Sequence, residues 1–311
     1  MKPNAFLEAA AQGRNDWWRY ALNTAWVLFA TLFLGSLPLM AVAVWLLLDN
    51  DPATQLDATT GALLGVPPWL GLALTLGPFV AGLAALLGGV AVLHRRSPVT
   101  LVTPGRPIRW GRIAAAGAAW ALLVAGMSVV EALLYPGRYA FTPNLPALIP
   151  YALVAVLLLP LQTSAEELLL RSYLMQGVGR LVRRPWVLAG LSGLVFGLLH
   201  GANPEVGVDF WPAMAFYVLF GVALAALTLR TESAELALGV HAGNNLFAAL
   251  FSTFKGSALP SPALFTANAF SPWYNLIALA VGLAVFAWLF ARRPAPPPVQ
   301  AGAAVPESLT K

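Results

Sequence analysis

Stretches of twenty and more apolar residues recur along the chain, and they fix the solvent in which it must fold. The first runs from about Ala21 to Leu48 and the second from about Pro68 to Val92. A hydrocarbon core about 30 Å thick is crossed by about 20 helical residues. No water reaches the backbone there, so the chain must satisfy its own N–H and C=O groups by forming helices. Further blocks run from about Ile113 to Leu134, Leu145 to Met175, Val187 to His200, Phe210 to Leu229, Leu236 to Phe251 and Trp273 to Ala291. The expected class is an all-α, polytopic membrane protein with about eight transmembrane helices. The fifth and seventh blocks are short, and their ends need neighbouring helices or a water-filled cavity.

Composition agrees. Of the 311 residues, 59% are hydrophobic and 10% charged, against about 25% charged in soluble domains. One membrane domain is expected over residues 1–293, followed by a Pro/Ala-rich disordered tail over 294–311. The first apolar block exceeds the roughly 7–15 residues of a signal-peptide core, so it reads as a retained helix. The absence of cysteine rules out disulfides and thiolate chemistry. The net charge of +5 does not point to nucleic acid, because no basic patch carries interleaved aromatics.

The basic residues have a topological pattern instead. With eight helices, fifteen of the 18 lysines and arginines fall in alternate segments: Lys2 to Arg19, Arg95 to Arg112, Arg180 to Arg184, Arg230, and Arg292 to Lys311. The other loops hold only Arg138 and Lys255, and Arg171 lies within a helix. By the positive-inside rule both termini are cytoplasmic, in a multi-pass protein of a bacterial plasma membrane. Trp17, Trp18, Trp69, Trp110, Trp186, Trp211 and Trp273 fall near span ends, where indoles anchor at the interface. The basic loop from His94 to Arg112 reads as a solvated topogenic loop, with contact to anionic lipid headgroups as the alternative.

Against this background the polar residues inside apolar blocks stand out. Glu166 and Glu167 lie in the fourth block, where an unpartnered ionised carboxylate costs about 2.5–3.5 kcal/mol or more. On a helix Glu167 and Arg171 are i and i+4 and can pair, while Glu166 is turned about 100° away. His200 ends the fifth block. His241 and Asn245, again i and i+4, begin the seventh, where Gly239 and Gly243 admit close approach of a helix or a substrate. Glu166 and His200 each lie about 21 Å along a helix from the basic end, whereas His241 is only about 8 Å in, too shallow unless its helix begins earlier or the site is funnel-shaped. Glu166 is suited to deprotonate a water, and His241 and Asn245 to stabilise an oxyanion. Glu166, His200 and His241 are also a His₂Glu ligand type for a single zinc ion, although no His-Glu-x-x-His helix is present. Each motif alone has an ordinary structural reading: an ion pair, an interfacial histidine, an interhelical hydrogen bond.

Taken in order, Glu-Glu-x-x-x-Arg, Phe196-x-x-x-His200 and His241-x-x-x-Asn245 resemble the CAAX-protease and bacteriocin-processing intramembrane protease family, also known as the Abi or type II CAAX prenyl endopeptidase family. The resemblance spans about residues 146–254. It implies an eight-helix intramembrane endopeptidase with a polar cavity facing the cytoplasm. It also implies that Glu166 activates water with support from Glu167 and Arg171, and that His200, His241 and Asn245 complete the site. The expected substrate is a peptide or lipidated peptide, CAAX-like or otherwise membrane-associated, with membrane lipid as surroundings. Family members are described both as metalloproteases and as metal-free enzymes. The expectation here is no obligatory metal, because one ligand would be the glutamate wanted as base. Two other readings compete: a proton-coupled transporter with Glu166, Arg171, His200 and His241 as a relay, and a non-catalytic scaffold or immunity protein. The absence of paired halves with matching broken helices argues against the first.

Overall fold

The computed structural model describes residues 4–49, 51, 53–56, 63–254 and 256–290; the proposed tail at 294–311 lies outside them. The helices are α1 (Ala5–Glu8), α2 (Trp17–Phe29), α3 (Leu37–Leu48), α4 (Pro68–Val92), α5 (Trp110–Leu134) and α6 (Leu145–Glu166). They continue as α7 (Met175–Val178), α8 (Pro185–Leu199), α9 (Pro204–Val208), α10 (Phe210–Thr231), α11 (Glu235–Leu250) and α12 (Pro272–Phe290). A π-helical stretch, Ala30–Leu34, carries α2 toward α3, and a second, Glu167–Leu174, joins α6 to α7.

All eight predicted apolar blocks are helical, but they are not equal. Six helical stretches are long and apolar enough to cross a membrane: Trp17–Leu48, Pro68–Val92, Trp110–Leu134, Leu145–Val178, Phe210–Thr231 and Pro272–Phe290. The blocks read as short remain so, with 15 residues in α8 and 16 in α11. Leucines such as Leu32, Leu48, Leu122, Leu133 and Leu157 are exposed on the long helices, as a lipid-facing surface requires. The seven interfacial tryptophans are likewise exposed near helix ends.

Close backbone packing holds the interior together. The principal pairings are α11 with α5, α10 with α8, and α4 with α6. The first explains Gly239 and Gly243: a Cβ on Gly239 would strike the Ile113 carbonyl oxygen, and one on Gly243 that of Gly117. The glycines therefore admit a helix, α5, through dispersion contacts that lipid cannot offer.

At the arginine-rich end the bundle is plugged. Asn4 caps α1 by accepting from the Phe6 and Leu7 amides, and its Nδ2 donates to Leu229 O at 2.8 Å. Phe6 packs with Leu101 and Val102 in a buried cluster. The first half of the His94–Arg112 loop is thus not solvated, contrary to the sequence-based expectation. His94, Arg96, Thr100 and Thr103 are buried, and His94 links Arg14 O to the Tyr173 hydroxyl, each at 2.8 Å. The N-terminal segment folds back over the loop and supplies Arg14 O as the partner of His94. Glu235, fully buried, accepts from the Arg109 amide and guanidinium, the latter at 2.6 Å.

At the opposite end the connections form a three-stranded sheet. Here β3 (Tyr139–Phe141) pairs antiparallel with β5 (Phe265–Ala267), which pairs parallel with β4 (Ser252–Phe254). An additional hairpin of Gln55–Leu56 and Leu63–Leu64 precedes α4.

Candidate active site

The site is assembled where α6 gives way to the π-helical turn. Pro150 and Pro160 lie within α6; each lacks an amide hydrogen and weakens the helical ladder. The Ser164 hydroxyl takes up the Pro160 carbonyl at 2.6 Å. Seven residues after Pro160, at Glu167, the winding widens, as helices often do at functional positions.

Glu167 and Arg171 form the expected pair, 3.1 Å apart from Oε1 to Nη1 with both side chains fully buried. The Arg171 guanidinium also lies 3.9 Å over the Phe196 ring, a cation–π contact strengthened by exclusion of water. Glu166 is not left apart as its 100° rotation suggested. Its Oε1 accepts from Gln162 Nε2 at 2.7 Å, and its Oε2 lies 3.5 Å from His241 Nε2. His241 Nδ1 is 2.7 Å from Glu167 Oε1. One imidazole therefore sits between the two carboxylates. Glu166 Oε2 is buried without a hydrogen-bond partner.

His241 reaches this level six residues into α11 because α10 runs to Thr231 and α11 starts at Glu235, leaving a three-residue connection. Asn245 Nδ2 donates to Gln162 Oε1 at 3.2 Å, Asn244 Nδ2 donates to Asn245 Oδ1 at 3.2 Å, and Trp120 Nε1 donates to Asn244 Oδ1 at 3.2 Å. Five of the six predicted residues, Glu166, Glu167, Arg171, His241 and Asn245, thus belong to one connected network.

The sixth, His200, joins through ring packing. It is the C-cap of α8 rather than part of the helix. Its Nδ1 donates to Phe196 O at 2.8 Å, which leaves Nε2 as the acceptor nitrogen. Its ring lies 4.1 Å from the Phe196 centroid and is stacked at 4.5 Å on Tyr217. Phe196 in turn meets the His241 ring edge-on at 5.8 Å, so both imidazoles share one aromatic wall.

Sequence reasoning missed Gln162, Tyr217 and Trp120. Gln162 had a signal, since it stands one turn before Glu166 in an apolar run. Tyr217 and Trp120 had none, because their helices reach the site only through tertiary packing.

The donor types for zinc are present, but they do not converge. No three His, Asp or Glu side chains among the described residues are placed to hold a metal ion, and His241 directs one nitrogen at each glutamate. In this arrangement the side chains do not fit a metal.

A cavity of about 250 Å³ adjoins the network, with Trp120, Tyr217 and Asn244 in its wall. It lies at the sheet end, lined also by Tyr139, Phe254 and Ala267. The resemblance implied a cytoplasmic opening, yet this cavity is at the end away from the arginine-rich loops, which α1, Leu101 and the Arg109–Glu235 pair close off.

Fold and site together define a polytopic α-helical membrane protein with a carboxylate–imidazole centre inside its bundle. A family model described as type II CAAX prenyl endopeptidase Rce1-like matches residues 145–247, the segment that supplies all six predicted residues. The chain is also 32% identical over 288 residues to uncharacterized protein YyaK of Bacillus subtilis (strain 168), covering 91% of this chain and 94% of that one. The chain belongs to the Rce1-like type II CAAX prenyl endopeptidase family. No solved structure matches it significantly.

Proposed function

We propose that the protein is an intramembrane endopeptidase in which Glu166 activates a water without a metal. One observation carries this reading: His241 lies between Glu166 and Glu167, with Arg171 holding Glu167. Paired with a guanidinium, Glu167 is an acceptor for the proton on His241 Nδ1, which fixes that tautomer and turns Nε2 toward Glu166. The unpartnered Oε2 of Glu166 then offers its lone pairs to a water.

The chemistry follows in balanced steps. Glu166 takes a proton from water as the oxygen attacks the peptide carbonyl. The oxyanion receives a hydrogen bond from the second N–H of Asn245. The proton held by Glu166 passes to the departing amine as the C–N bond breaks. His200 Nε2, the acceptor nitrogen, accepts from the substrate amide or the water. Gln162 positions Glu166 and Asn245 together. The substrate class is a peptide, lipidated or not, presented at the membrane.

The test uses purified protein and tethered peptide libraries, comparing wild type with Glu166→Ala and His200→Ala. Cleavage by wild type, lost in both variants, is expected. Cleavage undiminished in both would remove this assignment.

A further inference from the structure

The cavity beside the site has a feature that peptide hydrolysis does not require. At about 250 Å³ it is smaller than the roughly 300–1,000 Å³ that encloses a drug-sized ligand, so it has room for one long side chain rather than a peptide. It touches the catalytic network at two points: Asn244 holds Asn245, and Tyr217 stacks on His200. Aromatic rings, among them Phe216, Phe247, Phe254 and Phe270, make much of the remaining wall.

Among the described residues, its only charged lining side chains are two carboxylates, Glu131 and Glu205. Their situations differ. Glu131 accepts from the Tyr139 hydroxyl and faces Arg138 Nε at 3.8 Å. Glu205 is nine-tenths buried, with 9% of its surface exposed. Its Oε1 accepts the Ala258 amide at 2.8 Å, but its Oε2 is buried with no partner. A buried carboxylate oxygen left bare is costly, and a cationic group is the partner that relieves it best. Aromatic faces favour the same charge.

We propose that this cavity is a substrate subsite for an ammonium or guanidinium group, so that the enzyme selects peptides carrying lysine or arginine near the scissile bond. The proposal rests on the endopeptidase reading for its meaning, but the subsite can be tested apart from cleavage.

The experiment measures binding of fluorescent ten-residue peptides to the purified Glu166→Gln variant by anisotropy. A single lysine is moved along an otherwise neutral sequence and compared with norleucine, acetyl-lysine and glutamate at each position. At one position lysine should bind at least about tenfold tighter than norleucine or acetyl-lysine, as expected for a desolvated charge pair. Adding Glu205→Gln should abolish that preference, and Glu205→Lys should turn it toward glutamate. Equal affinity for lysine, norleucine and acetyl-lysine at every position overturns the proposal without any mutation at Glu205. A preference that survives Glu205→Gln also overturns it. Cleavage by wild type without cation preference would sink the subsite alone. Cation preference without any cleavage would sink the endopeptidase reading alone.

Discussion

Glu166 and Glu167 are adjacent in sequence and opposite in circumstance. Glu167 is fully buried with its Oε1 shared between Arg171 and His241, whereas Glu166 accepts from Gln162 and stays partly exposed. Removing the arginine exposes the difference. Arg171→Met leaves a buried carboxylate without its counter-charge, a change that costs about 3–5 kcal/mol, so a clear fall in Tm is expected in thermal-shift measurements. Arg171→Lys should recover only part of it, because an ammonium lacks the planar face that lies over Phe196. An unchanged Tm in Arg171→Met would show that the pair is not holding the site. The pair itself was legible in the sequence from its i, i+4 spacing. The bridging position of His241 was not, because it depends on where α11 starts relative to α6, a tertiary fact.

At the scale of elements, hydropathy located the long helices of the bundle, since lipid leaves the backbone no alternative, but not the short α1 and α9. The π-helical turn at Glu167–Leu174 was not visible. Pro160 marks a weakened ladder upstream of it, but a proline does not fix where the winding widens. The buried half of the His94–Arg112 loop was also missed, because charge counting sees arginines and not the segment that folds over them. Gly243 was read correctly as a point of close approach, and α5 is what approaches. Gly243→Leu should wedge α5 from α11, which carries His241. Overpacking of this kind costs about 1–3 kcal/mol. Lower Tm together with lower activity is expected, and full activity at normal Tm would contradict the packing assignment.

At the scale of the whole molecule, the two ends differ chemically. The arginine-rich end is plugged, and the sheet end holds the cavity. If the charge rule sets the orientation, the cavity opens away from the cytoplasm. The absence of native cysteine makes this readily measurable: in intact cells an impermeant maleimide should label Pro143→Cys and not Arg183→Cys. The reverse labelling would invert the topology. The plugged end also carries a pH dependence. Burial holds the His94 imidazole below its ordinary value of 6.5, so below that pH the unfolded chain binds a proton the folded one resists. Stability should therefore decline as pH falls from about 6.5 toward the folded value. A Tm–pH series on wild type and His94→Gln checks this, with a flatter curve expected for the variant.

Glu166 as a metal-independent base is the claim on which the rest depends. The most direct measurement is kcat/KM on one cleaved peptide, for wild type and Glu166→Gln, after exhaustive chelation and metal analysis. Wild type should keep its activity at negligible metal content, and Glu166→Gln should lose about 10²–10⁴-fold, the range that a positioned general base supplies. Wild-type activity that vanishes on chelation and returns with zinc, or a Glu166→Gln variant within a few fold of wild type, would contradict it.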